Sequence, residues 1–142
     1  MALLKAREAV MGRFRPILHA HDLTEQQWRV LRALTSADGF RAGELARLSS
    51  ISMPSLSRIL RALEKRALIE RGVEDKDLRA AQISITASGR ALIALIAPHS
   101  ERGYAEITAA FGDERLTTLY RLLDELATCL TDGTEPVEAD EE

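Results

Sequence analysis

At 142 residues the chain has material for one domain with a real core, but not for a reader module joined to a separate catalytic domain. Its composition, 46% hydrophobic, 29% charged and 4% aromatic, suits a helical globular protein, and no apolar run approaches the roughly 18 residues of a membrane span. The formal charge of −3 argues against a nucleic-acid partner only until it is mapped: residues 131–142 hold six acids, residues 1–130 hold nineteen bases against sixteen acids, and Arg29–Arg79 holds eleven bases against seven.

Leu3, Val10, Phe14 and Ile17 recur at helical steps and predict one face of a first helix over Met1–Leu18. Pro16 lacks the N–H a helix interior needs, so that helix should kink or loosen near its end. The segment His19–Leu23 reads as a connection. Thr24 with Gln27 has capping-box spacing and opens a helix through Trp28, Leu31 and Leu34, which the turn signal Asp38-Gly39 ends. Ala42, Leu45, Ala46 and Leu48 are the apolar positions of a short helix, and Ser49–Ser52 a polar break.

Ser52 stands where it would cap the next helix, with Pro54 in its first turn, where a missing N–H costs nothing. Leu56, Ile59, Leu60 and Leu63 make that helix's buried stripe, and Leu68-Ile69 closes it. Two helices joined by a short break, the second opening on small hydroxyl residues and carrying arginine outward, form a helix-turn-helix. Glu70–Gly72 then reads as a strand, Val73–Ala80 as a charged loop, and Ala81–Thr86 as a second strand with Ile83 and Ile85 on one face. A hairpin directly after a helix-turn-helix is a wing.

Thr86 or Ser88 would cap a long helix with Leu92, Ile93, Leu95, Ile96, Ile107 and Phe111 as its apolar positions, broken at Gly112-Asp113. The last helix has Leu116, Leu119, Leu123, Leu126 and Leu130 at steps of three or four. Such apolar seams at both ends of a small chain call for a second copy to bury them. The expected fold is therefore mostly α with a small β-hairpin wing: a winged helix-turn-helix over 24–86, N- and C-terminal dimerisation helices over 1–20 and 87–130, and a disordered acidic tail over 131–142. The amphipathic start without an apolar signal core leads us to expect a cytoplasmic protein with no membrane partner.

Duplex recognition needs small residues that admit a helix to the major groove and donors that reach phosphates and base edges. Ser52, Pro54, Ser55, Ser57, Arg58 and Arg61 offer this at the start of the second helix of the pair, although a solvated surface face has the same residue types. In the loop of the wing, Asp77 and Arg79 lie two apart and can point the same way on an extended segment. The acid would hold the guanidinium for the narrow minor groove, with Lys76 on a phosphate. A solvated loop with adjacent charges is the plain alternative.

Ala42–Ala46, Ser52–Leu60, Leu63-Glu64-Lys65, Asp77-Leu78-Arg79 and Ile85-Thr86 followed by Gly89 together resemble the MarR family. The resemblance covers essentially all of residues 1–130. It implies a symmetric homodimer whose first and last two helices intertwine, with two recognition helices on successive major grooves of a near-palindromic double-stranded DNA operator, about 34 Å apart. This chain departs from the pattern at Ala67, where the family usually has glycine, so the bend before the wing must be made without one.

Leu4–Ala9, Phe14-Arg15-Pro16 and Leu23–Val30 are further similar to the subgroup that represses homoprotocatechuate (4-hydroxyphenylacetate) degradation. That implies a repressor of an aromatic-acid catabolic operon, with a small aromatic carboxylic acid as effector. Arg15 is the first choice for its counter-ion, and Phe14, His19, His21 and Trp28 are expected to line the pocket. A surface ion pair for Arg15 and core packing for Trp28 stay open, as do a multidrug or stress regulator with a looser pocket and a winged-helix adaptor for protein contacts. Cys129, the only cysteine, is expected as a small buried hydrophobe on the last helix. Three histidines without cysteine partners argue against a metal site, and no phosphate loop or nucleophile arrangement calls for a cofactor or an enzyme.

Overall fold

The computed structural model describes residues 1–72 and 81–131. In chain order the elements are α1 (Ala2–Met11), α2 (Arg15–Ala20), α3 (Glu25–Leu34), α4 (Ala42–Ser49), α5 (Met53–Lys65), β1 (Ile69–Gly72), β2 (Gln82–Ile85), α6 (Ala87–Phe111) and α7 (Asp113–Thr131). Two compact units are distinguished, one from Met1 to Gly103 and one from Tyr104 onward, so the boundary falls within α6.

The first departure from the sequence expectation is at Pro16. The single helix expected over Met1–Leu18 is two helices, and Pro16 lies in the first turn of the second. A proline ring clashes with the carbonyl four residues back and withholds its own donor, so the break moves upstream to Gly12–Phe14, and the proline starts a new helix where it costs nothing. The apolar positions divide accordingly. Leu3 and Val10 of α1 are exposed, whereas Phe14 and Leu18 are buried.

The helix-turn-helix forms as its sequence dictates. Thr24 Oγ1 accepts from the Gln27 N–H, and the Gln27 side chain accepts from the Thr24 N–H, each at 3.1 Å, which satisfies two otherwise orphan donors at the start of α3. The four apolar positions of α5, Leu56, Ile59, Leu60 and Leu63, are all buried against Trp28, Val30, Leu31, Leu34 and Leu45. Each is worth about 1.5–3 kcal/mol of burial. Ser52 occupies the N-cap position with no side-chain capping bond, so Pro54 and its missing donor ease this helix start rather than a serine cap. In α4 the expected pattern shifts by one residue: Leu48 is exposed, and Ser49 is buried with its hydroxyl donating to Leu45 O at 2.5 Å. That bond lets a hydroxyl enter the core without an unmet donor.

Ile69, expected to close the recognition helix, instead begins β1. The two strands are antiparallel in the register Ile69↔Ile85, Glu70↔Ser84, Arg71↔Ile83 and Gly72↔Gln82, which puts Ile83 and Ile85 on the buried face. Phe40 adds a bridge to Ile83, with N–H to O distances of 3.0 and 2.8 Å.

The bend into β1 is made by Ala67, whose φ is +56°. Thr86, at the start of α6, holds that bend: its Oγ1 donates to Ala67 O at 2.7 Å, its N–H donates to Leu68 O at 3.1 Å, and Oγ1 accepts from the Gly89 N–H at 3.0 Å. A Cβ at Gly89 would stand 2.2 Å from Leu68 O, so only glycine lets α6 start this close to the bend.

From Tyr104 onward, α6 ends at Phe111 and α7 follows a turn at Gly112. Leu119, Leu123, Leu126 and Leu130 are exposed along α7. Cys129, expected in a buried seam, is exposed too, because a helix stripe is buried only where another surface covers it, and within α7 of the single chain only Leu116 is partly covered. Leu95 of α6 is likewise exposed.

Candidate nucleic-acid interface and effector cleft

The polar side of α5 is presented to solvent because its opposite side is wholly committed to the core. Ser52, Pro54, Ser57, Arg58 and Arg61 are exposed and Ser55 is half-buried. Arg58 Nη2 lies 3.5 Å from Ser55 Oγ, and Arg61 Nε donates to Ser57 O at 3.3 Å. Both guanidiniums thus lie along their own helix, and among the described residues neither is held by a carboxylate. Polar atoms lightly held on a rigid helix are available to phosphates and base edges. A depression of about 290 Å³ beside them is lined by Thr24, Gln26, Gln27, Ser55, Arg58, Ile59 and Ala62. At the root of the wing, Arg71 Nε pairs with Glu64 Oε2 at 3.4 Å, tying β1 to α5. Lys76, Asp77 and Arg79 lie outside the described residues, as does the segment 132–142.

A second concavity, of about 340 Å³, opens among α1, α2 and the start of α3 and is lined by Arg7, Arg15, Leu18, His19, Leu23, Thr24, Glu25 and Gln26. Its charged wall is one network. Arg15 Nε donates to Glu25 Oε1 at 2.5 Å and Arg15 Nη2 to Glu8 Oε2 at 2.7 Å. Arg7 Nη2 donates to Glu25 Oε2 at 2.5 Å, and Arg7 Nη1 to Glu8 Oε1 at 2.8 Å. The hydrogen bond to Glu25, then that to Glu8, push Arg15 above its already high ordinary pKa. Burial pushes the Glu25 carboxyl up, but the Arg15 hydrogen bond and the charges of Arg7 and Arg15 outweigh it and hold the group below its ordinary value. Each guanidinium has five N–H donors, so the network anchors both arginines without exhausting them.

Of the residues expected around an effector, the cleft brings together Arg15 and His19. Phe14 is buried, its ring against Gly103, where a Cβ would meet Cε1 at 2.8 Å. Trp28 is in the core with Arg32 over its ring at 5.8 Å. His21 contributes its carbonyl to Arg66 rather than a side chain to the cleft. Sequence reasoning passed over Arg7, Glu8 and Glu25. Their pairings with one another span up to 18 residues, and no local spacing rule reports such a contact.

The protein-family model that matches, at residues 21–80, describes the MarR family. The homoprotocatechuate degradative operon repressor of Escherichia coli is 38% identical over 142 residues, covering all of this chain and 96% of that protein. The chain belongs to the MarR family. As a member of a family of transcriptional regulators it is a regulator and not an enzyme.

Among solved MarR-type structures, NadR in complex with 4-hydroxyphenylacetate is 38% identical and superposes with a TM-score of 0.76 over 89% of both chains. The repressor CouR bound to a 23-mer DNA duplex is 28% identical, with a TM-score of 0.81 over 89% of both. The winged helix-turn-helix architecture expected from the sequence is the one observed. Among the described residues no helix is long and apolar enough to cross a membrane.

Proposed function

We propose that this chain is a homodimeric repressor of an aromatic-acid catabolic operon. It binds a near-palindromic duplex in the cytoplasm and is released by a small aromatic carboxylate of the 4-hydroxyphenylacetate type. The observation that carries the DNA half is the division of α5 into a fully buried apolar stripe and an exposed face of Ser52, Pro54, Ser57, Arg58 and Arg61 with Ser55 half-buried beside them, a helix fixed from behind and free in front. To that face the reading adds Lys76, Asp77 and Arg79 of the segment after β1 as DNA-contacting residues, Arg79 for the minor groove. The exposed leucines of α7 and the apolar residues of α1 supply the surface a second copy covers.

The effector half rests on the cleft beside Arg15 and on the full-length likeness to a repressor of homoprotocatechuate degradation. A carboxylate entering there meets two guanidiniums already fixed by Glu8 and Glu25, and its ring meets Leu18 and Leu23, with His19 at the rim. Phe14, His21 and Trp28 are not among the residues that line this cleft. Release requires that the acid favour a dimer whose recognition helices no longer match the groove spacing, since equal affinity for both states shifts nothing.

The test is an affinity measurement on an operator selected by the wild-type protein from random duplexes, with a parallel thermal-shift panel of hydroxyphenylacetates, cinnamates and benzoates. Arg58→Ala is expected to weaken binding by about 10- to 100-fold, the discrimination of one good base contact. Selection of no duplex by the wild type would sink the repressor reading, and a flat panel the effector reading, because a ligand of the native state must raise the midpoint.

A further inference from the structure

We propose that Arg66 is a positioning residue that couples the cleft beside Arg15 to the recognition helix. The proposal rests on the effector reading above. Arg66 directly follows α5, and its guanidinium reaches back to the connection between α2 and α3. Nη1 donates to Asp22 O at 2.6 Å and Nη2 to His21 O at 3.0 Å. The bonds span 44 and 45 residues of sequence, so they join two separate parts of the reader.

The turn does not satisfy those two carbonyls by itself. His21 N and Leu23 N donate to Leu18 O, and Asp22 N donates to His19 O, which meets those two carbonyls of α2 by the usual tightening of a helix end. His21 O and Asp22 O fall beyond that pattern and point to Arg66. Asp22 is itself held at φ +53°, a left-handed conformation that persists where its surroundings over-determine it. The planar fork of an arginine fixes the orientation of what it binds as well as its distance, because its N–H groups are set in one rigid plane.

The two ends of this tie have different duties. His19 and Leu23 flank the turn and both line the cleft, so a ligand that spreads the cleft displaces the turn that Arg66 holds. On the other side, Leu60 and Leu63 are buried in the last turns of α5. A helix packed at that density shifts as a body instead of bending, so a displacement delivered at its C-terminal end re-aims Ser55, Arg58 and Arg61 at its groove face. A brace that merely stabilised the fold would alter the melting temperature and leave the response to a ligand as it was.

The experiment measures duplex affinity with and without saturating 4-hydroxyphenylacetate, on the selected operator, for the wild type, Arg66→Ala and Arg66→Lys, together with the affinity of each free protein for the acid. The wild type is expected to lose about tenfold or more in duplex affinity when the acid is bound. Arg66→Ala is expected to bind operator and acid each within about threefold of the wild type but to lose most of the linkage between them, with a residual factor of about two. Arg66→Lys, whose single ammonium replaces the fork, should fall between.

An unchanged linkage factor in Arg66→Ala overturns the proposal while leaving the effector reading intact. Loss of operator binding by both variants without acid also overturns it, since Arg66 would then be part of the DNA interface or of the fold. A wild type that binds operator but is indifferent to the acid removes the effector reading, and the coupling with it.

Discussion

Replacing Ala67 by glycine should make this protein more stable, an uncommon outcome for a single substitution. Ala67 is exposed and its φ is +56°, so glycine gives up little packing. A left-handed conformation costs an L-residue about 1–2 kcal/mol, against which the extra freedom of glycine in the unfolded chain costs about 0.4–1 kcal/mol. The difference is a net gain of about 0.5–1 kcal/mol. With an unfolding entropy of about 2.1 cal/mol/K per residue, a chain of this length changes by about 0.3 kcal/mol for each kelvin, so the midpoint should rise by about 2–3 °C.

The assay is calorimetric or circular-dichroism melting at matched protein concentrations, because a midpoint that includes dissociation depends on concentration. Ala67→Val serves as the opposing control and should lower the midpoint, since a β-branched residue tolerates positive φ worse than alanine does. A glycine variant that melts at or below the wild type would refute the reasoning, and would mean that the Thr86 bonds do not hold Ala67 in the left-handed region in solution.

Two further outcomes follow from the same packing and charges. Gly103→Val places carbon where the Phe14 ring lies, with even a Cβ 2.8 Å from Cε1, and should cost about 1–3 kcal/mol by overpacking, measured by urea unfolding; a neutral result would show that Phe14 does not sit against this glycine. Glu25→Gln tests the charged wall. The folded-state pKa of Glu25 is lowered, so its contribution is complete above the unfolded value of about 4.5 and fades as pH falls through the lower folded value. The melting-point gap between wild type and Glu25→Gln should therefore be widest near neutrality and close on acidification through the lowered folded value; a gap independent of pH would count against the ion-pair network.

Much of the reader was legible in the chain because its signals are local. The Thr24 and Gln27 capping box, the proline in the first turn of α5 and the spacing of Leu56, Ile59, Leu60 and Leu63 each act within one or two turns, and all are present in the structure. The alternation of Ile83 and Ile85 selected the buried face of β2 in the same way. Pro16 misled by three to four residues, because whether a proline kinks a helix or starts another depends on what the preceding turn can pack against, which periodicity does not report. The cleft was legible in two of its five expected residues: Arg15 and His19 face it, His21 does not line it, and Phe14 and Trp28 are spent on the core, since a large aromatic on an apolar helix position has most to gain from burial.

What the sequence determined by itself was the helix-turn-helix followed by a hairpin, the apolar stripes of α3 and α5 and the outward face of α5. These follow from hydrogen-bonding and hydrophobic patterns within a few residues. Tertiary structure decided the partners: that Arg15 is shared between Glu8 and Glu25, that Gly89 must be small because Leu68 O lies against it, and that Arg66 spans from the end of the recognition helix to the turn beside the cleft. The physical reason is reach, because a guanidinium is satisfied by whichever carbonyl or carboxylate the folded chain brings to it, and that choice is made only when distant segments meet.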